Sequence, residues 1–310
     1  MNFFKKTPLA ISGVALALVA LGNLLLPLPY GMALHVGCGV LSGVILCLFL
    51  IRVISDFKQV KEELKSPIAL GVLPTSTMAL MLICAYTFPF LGFVAVWLWY
   101  VFVVVHVLIV LLFIKRFVLK PKLENVYPSW FVPGVGIIII CITSETLGTQ
   151  VVGSVFFYLG ALFYVCLLPI TLYRMIKLRP LPEPARPLAA IFVAPPGLCL
   201  VGYLTLYSQP IAWIVYVLTA LMCVSYLVVA VRMVWLLRLK FYPSYAAFTF
   251  PFVVSATGMR AAAGFFSESG YDVFSYIAPV IEGIAVLMII YVLVRYVMFY
   301  LTPNTGDQPG

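Results

Sequence analysis

Residues Phe241 to Phe266 read FYPSYAAFTFPFVVSATGMRAAAGFF, and the rest of the chain is organised around this stretch. It is apolar over more than the roughly 20 residues a helix needs to cross a bilayer. At about 100° per residue its two faces differ. One stripe carries Ala246, Ala247, Phe250, Val254, Thr257 and Ala261; the opposite stripe carries Tyr245, Phe248, Phe252, Met259 and Phe266. A single large ring, Phe250, therefore stands on an otherwise small-residue face, directly before Pro251. That proline removes one backbone donor and crowds the carbonyl of Ala247, which predicts a bend at the ring. The expectation is that the small face lines a narrow pore and that Phe250 plugs it.

The surrounding chain has the composition of an all-α, polytopic membrane protein. Hydrophobic residues make up 64% and charged residues 9% of the 310 positions, against roughly 45–50% and 25% in soluble domains. Ten apolar stretches fall near 7–26, 31–54, 67–88, 93–114, 128–147, 151–173, 187–207, 211–236, 243–266 and 272–300. These predict one ten-helix transmembrane domain over 1–301, followed by a polar tail, 302–310, expected to be disordered.

The net charge of +9 is topological and does not signal nucleic acid. Lys5 and Lys6 precede the first apolar run, and later groups lie at 52–65, 115–122, 174–186 and 232–240, with Arg295 near the end. The alternate connections, 27–30, 89–92, 148–150, 208–210 and 267–271, contain no Lys or Arg. Basic loops mark the cytoplasmic side, so both termini are expected inside the cell, with the chain in the plasma (inner) membrane. Seven cysteines lie within apolar runs without C-x-x-C spacing, which reads as packing and predicts neither metal nor cofactor.

A repeat governs the odd-numbered runs. Each opens with a proline after a basic segment, at Pro8, Pro67, Pro128, Pro187 and Pro243, with spacings of 59, 61, 59 and 56 residues. A period of this length is one helical hairpin, used five times. A second proline recurs five to nine residues further on, at Pro74, Pro133, Pro195 with Pro196, and Pro251, while the first run has Gly13 at the comparable place. Carbonyls freed at a proline are expensive in lipid unless protein or water meets them, so bent helices at one depth point to a shared interior. The even runs are bulkier, as in FVAVWLWYVFVVVHVLIVLL of the fourth. The pattern predicts five odd helices in a pseudo-fivefold inner ring around a central pore, with five even helices outside. The alternative is a compact bundle in which small residues only permit tight packing.

PSWFVPGVGI in the fifth run, FVAPPGLCLVGY in the seventh and FYPSYAAFTFPFVVSA in the ninth resemble the tellurite-resistance and dicarboxylate transporter family. That family includes bacterial TehA and the slow-type anion channels of plant guard cells. The resemblance covers nearly the whole chain. It implies a homotrimer whose protomers each hold an anion pore formed by the odd helices, occluded by a phenylalanine that maps to Phe250. It leaves the substrate open, because members also include carriers of C4-dicarboxylates and exporters of sulfite.

The expected path is lined by Gly13, Pro74, Pro133, Pro195, Ala247, Val254 and Thr257, with Phe250 as gate. The odd helices begin at the basic face, where their positive dipole ends and the loop charges concentrate anions. A narrow, uncharged interior favours small monovalent anions that dehydrate easily. Arg260 is a basic residue in the outer half, ten residues past Phe250 and about 80° round an ideal helix. Glu145, Glu268 and Glu282 are its candidate partners, and an ion pair between Arg260 and Glu282 is one expectation. Glu282 as a proton site is the alternative, in a coupled or exchange carrier for dicarboxylates, tellurite or sulfite. His35 and His106 fall on even helices, where interhelical hydrogen bonds are the plain reading. No P-loop, metalloprotease helix or dinucleotide turn is present, which argues against an enzyme.

Overall fold

Apolar segments that meet no water must satisfy their backbone groups internally, and this chain does so with helices. The computed structural model describes residues 6–178 and 180–302. Expectations that fall on Lys5, Arg179 and residues 303–310 of the tail lie outside the described residues. Among the described residues there is no strand.

Besides a short surface helix, Phe57–Glu63, the apolar helices in chain order are α1 (Ile11–Leu25), α2 (Gly31–Ser55), α3 (Pro67–Leu91), α4 (Phe93–Val118) and α5 (Pro128–Ser144). They continue with α6 (Gln150–Lys177), α7 (Glu183–Leu206), α8 (Ala212–Leu236), α9 (Phe250–Ser267) and α10 (Val273–Leu301). By length and composition α2, α3, α4, α6, α7, α8 and α10 can each cross a membrane, while α1 and α5 are shorter apolar helices. α9 has 18 residues and follows a 3₁₀ segment, Pro243–Phe248. The protein is therefore an all-helical, multi-pass membrane protein.

Each even helix packs against the odd helix before it. The odd helices also pack against one another: α1 on α3, α3 on α5, α5 on α7, α7 on α9, and α9 on α1. Burial follows this division. The apolar windows of α3 and α7 are 67% and 83% buried, against 22% in α2, 28% in α4, α6 and α8, and 39% in α10. The bulky residues of the even helices face outward, where lipid tails solvate them as well as a core would.

Close approach of the buried helices depends on small residues. A Cβ on Gly197 of α7 would lie 3.3 Å from the carbonyl oxygen of Val254 on α9, and one on Gly258 would lie 3.6 Å from the Gly197 Cα. Backbone therefore meets backbone across this interface.

The second prolines change the winding of their helices. Pro74 starts a new α segment after Pro67–Val72, and α7 winds as a 3₁₀ helix over Glu183–Val193 before becoming α at Ala194. α5 alternates 3₁₀ and α turns along its length. Hydroxyls recover carbonyls near these junctions: Thr75 Oγ1 donates to Val72 O at 2.7 Å, Ser76 Oγ to Leu73 O at 2.8 Å, and Thr77 Oγ1 to Pro74 O at 2.8 Å. Carbonyls that would be orphaned in lipid are thus met by local side chains.

Candidate functional site

Phe250 owes its position to a break in the backbone. Pro243–Phe248 winds as a 3₁₀ helix, and Thr249 leaves helical space at φ −107°, ψ −85°. Thr249 Oγ1 donates to the Ala246 carbonyl at 2.7 Å and lies 3.4 Å from the Gly13 carbonyl on α1, so the break is hydrogen-bonded on both sides. Phe250 then opens α9 with Pro251 in the first turn, where a missing backbone donor costs nothing. The ring is 7% exposed and borders an internal cavity.

That cavity measures about 60 Å³, room for only a few water molecules. All of its lining residues come from α1, α3, α5, α7, α9 and the turns that lead into them; none comes from an even helix. The lining recurs at every third residue. Ala10, Gly13 and Leu16 supply it from α1, and Val72, Thr75 and Met78 from α3. Leu188, Ile191 and Ala194 do so from α7, and Ser244, Ala247 and Phe250 on the way into α9. In the 3₁₀ segments Glu183–Val193 and Pro243–Phe248 residues three apart eclipse one another, and on the α-helical turns of α1 and α3 they share a face, so each presents a row to the cavity. α5 departs from this spacing, contributing Phe131, Val132 and Gly136.

No charged residue lines the cavity, and its two hydroxyls are already engaged. Thr75 donates to Val72 O and lies 2.7 Å from Ser12 Oγ, while Ser244 donates to the Pro184 carbonyl. An ion inside would find carbon walls and few free donors. Such surroundings penalise strongly hydrated ions most, because nothing replaces their water.

Of the residues expected along the path, Gly13, Pro195, Ala247 and Phe250 border the cavity. Pro74 and Pro133 do not; their chain neighbours Thr75 and Val132 do. Val254 and Thr257 are not among the residues that line this cavity. Val254 backs onto Gly197, and Thr257 Oγ1 bonds the Val253 carbonyl at 3.0 Å. Both share α9 with Phe250 and lie further along that helix than the residues that border the cavity. Leu188, Ile191 and Leu198 line the cavity without having been singled out in the sequence. A search at period three through the Pro187 segment would have found the first two.

The titratable residues lie elsewhere. Arg260 holds Glu282 through two contacts, Nε to Oε1 at 2.7 Å and Nη2 to Oε2 at 2.6 Å, and Nη1 donates to the Leu24 carbonyl. One guanidinium thus ties α9 to α10 and to the last turn of α1, where a positive charge also suits the helix dipole. His106 is fully buried, with Nδ1 2.7 Å from Thr77 Oγ1 across the α3–α4 contact. His35 stacks on Tyr86 with ring centroids 3.7 Å apart.

The fold and the cavity define a class: a helical, multi-pass membrane protein with a narrow apolar cavity among its buried helices. Comparison with known proteins narrows it. The sequence profile of the SLAC1 family, described as voltage-dependent anion channel, matches residues 6–297. The chain belongs to this family. It is also similar to the uncharacterized transporter MJ0762 of Methanocaldococcus jannaschii, with 28% identity over 185 residues, or 54% of this chain and 53% of that relative. The chain thus matches about half the length of this curated relative.

Proposed function

We propose that the protein is an anion channel that passes small monovalent anions along the axis of a pseudo-fivefold ring of α1, α3, α5, α7 and α9, with Phe250 as the gate. The observation that carries this reading is the cavity lining: every buried odd helix contributes and no even helix does. Membership in the SLAC1 family and the closed sequence of contacts from α1 round to α9 support it. Eighteen of the nineteen basic residues fall at one end by the sequence pattern, a distribution that concentrates anions at that mouth. Gly13, Pro195 and Ala247 line the same cavity as the ring. On this reading the basic end is cytoplasmic, both termini are inside, and the protein works as a homotrimer in the plasma membrane with one pore per protomer.

The test is current through purified protein in planar bilayers under a chloride gradient. A channel gives a reversal potential at the anion equilibrium value, insensitive to a pH difference. The relative from M. jannaschii is called a transporter, and a carrier for dicarboxylates, tellurite or sulfite would instead show saturable flux driven by the pH difference.

A further inference from the structure

A second cavity lies outside the ring. It is a groove of about 830 Å³ between the basic ends of α6 and α8, floored by the start of α7. Arg174, Arg186 and Arg232 line it, and no acidic residue does. None of the three arginines takes part in a salt bridge among the described residues. Arg174 is 5% exposed, and its buried Nε has no hydrogen-bond partner. Its Nη1 reaches only the Leu178 carbonyl at 3.2 Å and the Met175 sulfur, and its guanidinium sits 5.2 Å from the centre of the Tyr127 ring. Arg186 donates Nε to the Leu181 carbonyl. A buried cationic donor without an anion is costly, so the groove is built for one that comes from outside.

The walls say which kind of anion. Ile176 and Trp235, both lining residues, are 66% and 61% exposed, and Val228 and Val231 beside them also point outward. These side chains face the membrane rather than the ring. The same seam between α6 and α8 continues towards the opposite end as a cleft of about 500 Å³, lined by Phe157, Val165, Ile214 and Leu218. An inorganic anion would match the arginines and leave this apolar seam unused. A phosphodiester carrying acyl chains matches both, because guanidinium groups bind phosphate oxygens in pairs and the seam accepts the tails.

We propose that the groove binds the head group of an anionic glycerophospholipid from the leaflet at the basic end, with an acyl chain lying in the α6–α8 seam. The test uses the full chain, delipidated in detergent and titrated with phosphatidylglycerol or phosphatidylcholine that carries brominated acyl chains. Quenching of Trp235 is read as the difference between wild type and Trp235→Phe. Phosphatidylglycerol is expected to quench at lower concentration than phosphatidylcholine, by on the order of tenfold or more for three arginines. Arg232→Gln, an exposed position that endangers folding little, should weaken that preference about fivefold. Arg186→Gln should do the same, and Arg174→Gln more if the variant elutes as a single species. Equal quenching by the two lipids, or an unchanged preference in both Arg232→Gln and Arg186→Gln, would overturn the proposal. So would full displacement of the brominated lipid by millimolar inorganic phosphate, which would mark a site for soluble anions.

Discussion

The segments that lead into the α parts of α7 and α9 are two copies of one design that differ at a single decisive place. Both carry a first proline in a 3₁₀ segment, Pro187 and Pro243, and reach a second proline eight residues later, at Pro195 and Pro251. Both present residues one, four and seven places after the first proline to the cavity: Leu188, Ile191 and Ala194 in one, Ser244, Ala247 and Phe250 in the other. Immediately before the second proline α7 has a methyl group and α9 a benzyl group. The winding also differs: α7 passes smoothly from 3₁₀ to α at Val193, whereas the chain breaks at Thr249. On the function proposed above, the same backbone plan makes a wall in one copy and an obstruction in the other, through residue size before the second proline together with the break at Thr249.

If that comparison is right, the obstruction can be moved. Ala194→Phe placed in a Phe250→Ala background should restore closure and cut the opened current by on the order of tenfold, equivalent to ~1.4 kcal/mol of barrier. Bilayer currents of the single and double variants check this, and an undiminished current in the double variant would break the equivalence of the two segments. A smaller effect is expected at the outer end, where Glu282→Gln removes one partner of a pair whose arginine is 29% exposed. Loss of a fully buried pair costs roughly 3–5 kcal/mol, and the exposure of Arg260 reduces this to about 2 kcal/mol. Thermal unfolding in detergent should show the loss, while the reversal potential and its insensitivity to pH stay as in wild type. The smallest effect belongs to the break. Thr249→Val keeps the shape but loses the bond to the Ala246 carbonyl, about 1 kcal/mol. It should raise the leak current of the closed protein slightly without changing anion preference.

Much of this was legible in the sequence because it rests on signals carried by single residues. Proline spacing pointed to the segments whose residues border the cavity, and the contrast between Ala247 and Phe250 to the single large ring beside it. The Arg260–Glu282 pair could be named as one of three options because charges buried in lipid seek each other. The winding was not legible. Whether a proline-opened turn is 3₁₀ or α depends on packing against neighbouring helices, which no local pattern states. Val254 and Thr257 were placed on the path by their helical register with Phe250, which says nothing of how far along α9 the cavity reaches, and Leu188 and Ile191 were passed over because their period is three. The arginine groove escaped notice for a different reason: Arg174, Arg186 and Arg232 read as three members of two loops until the fold brings α6, α7 and α8 together.

The central claim is that the benzyl group of Phe250 closes the axis of the ring. Its most direct test is the chloride current of wild type and Phe250→Ala, measured in planar bilayers on equal amounts of protein of matched oligomeric state. The account predicts a rise of at least about tenfold, the removal of ~1.4 kcal/mol or more of barrier. A current in Phe250→Ala equal to that of wild type would contradict it.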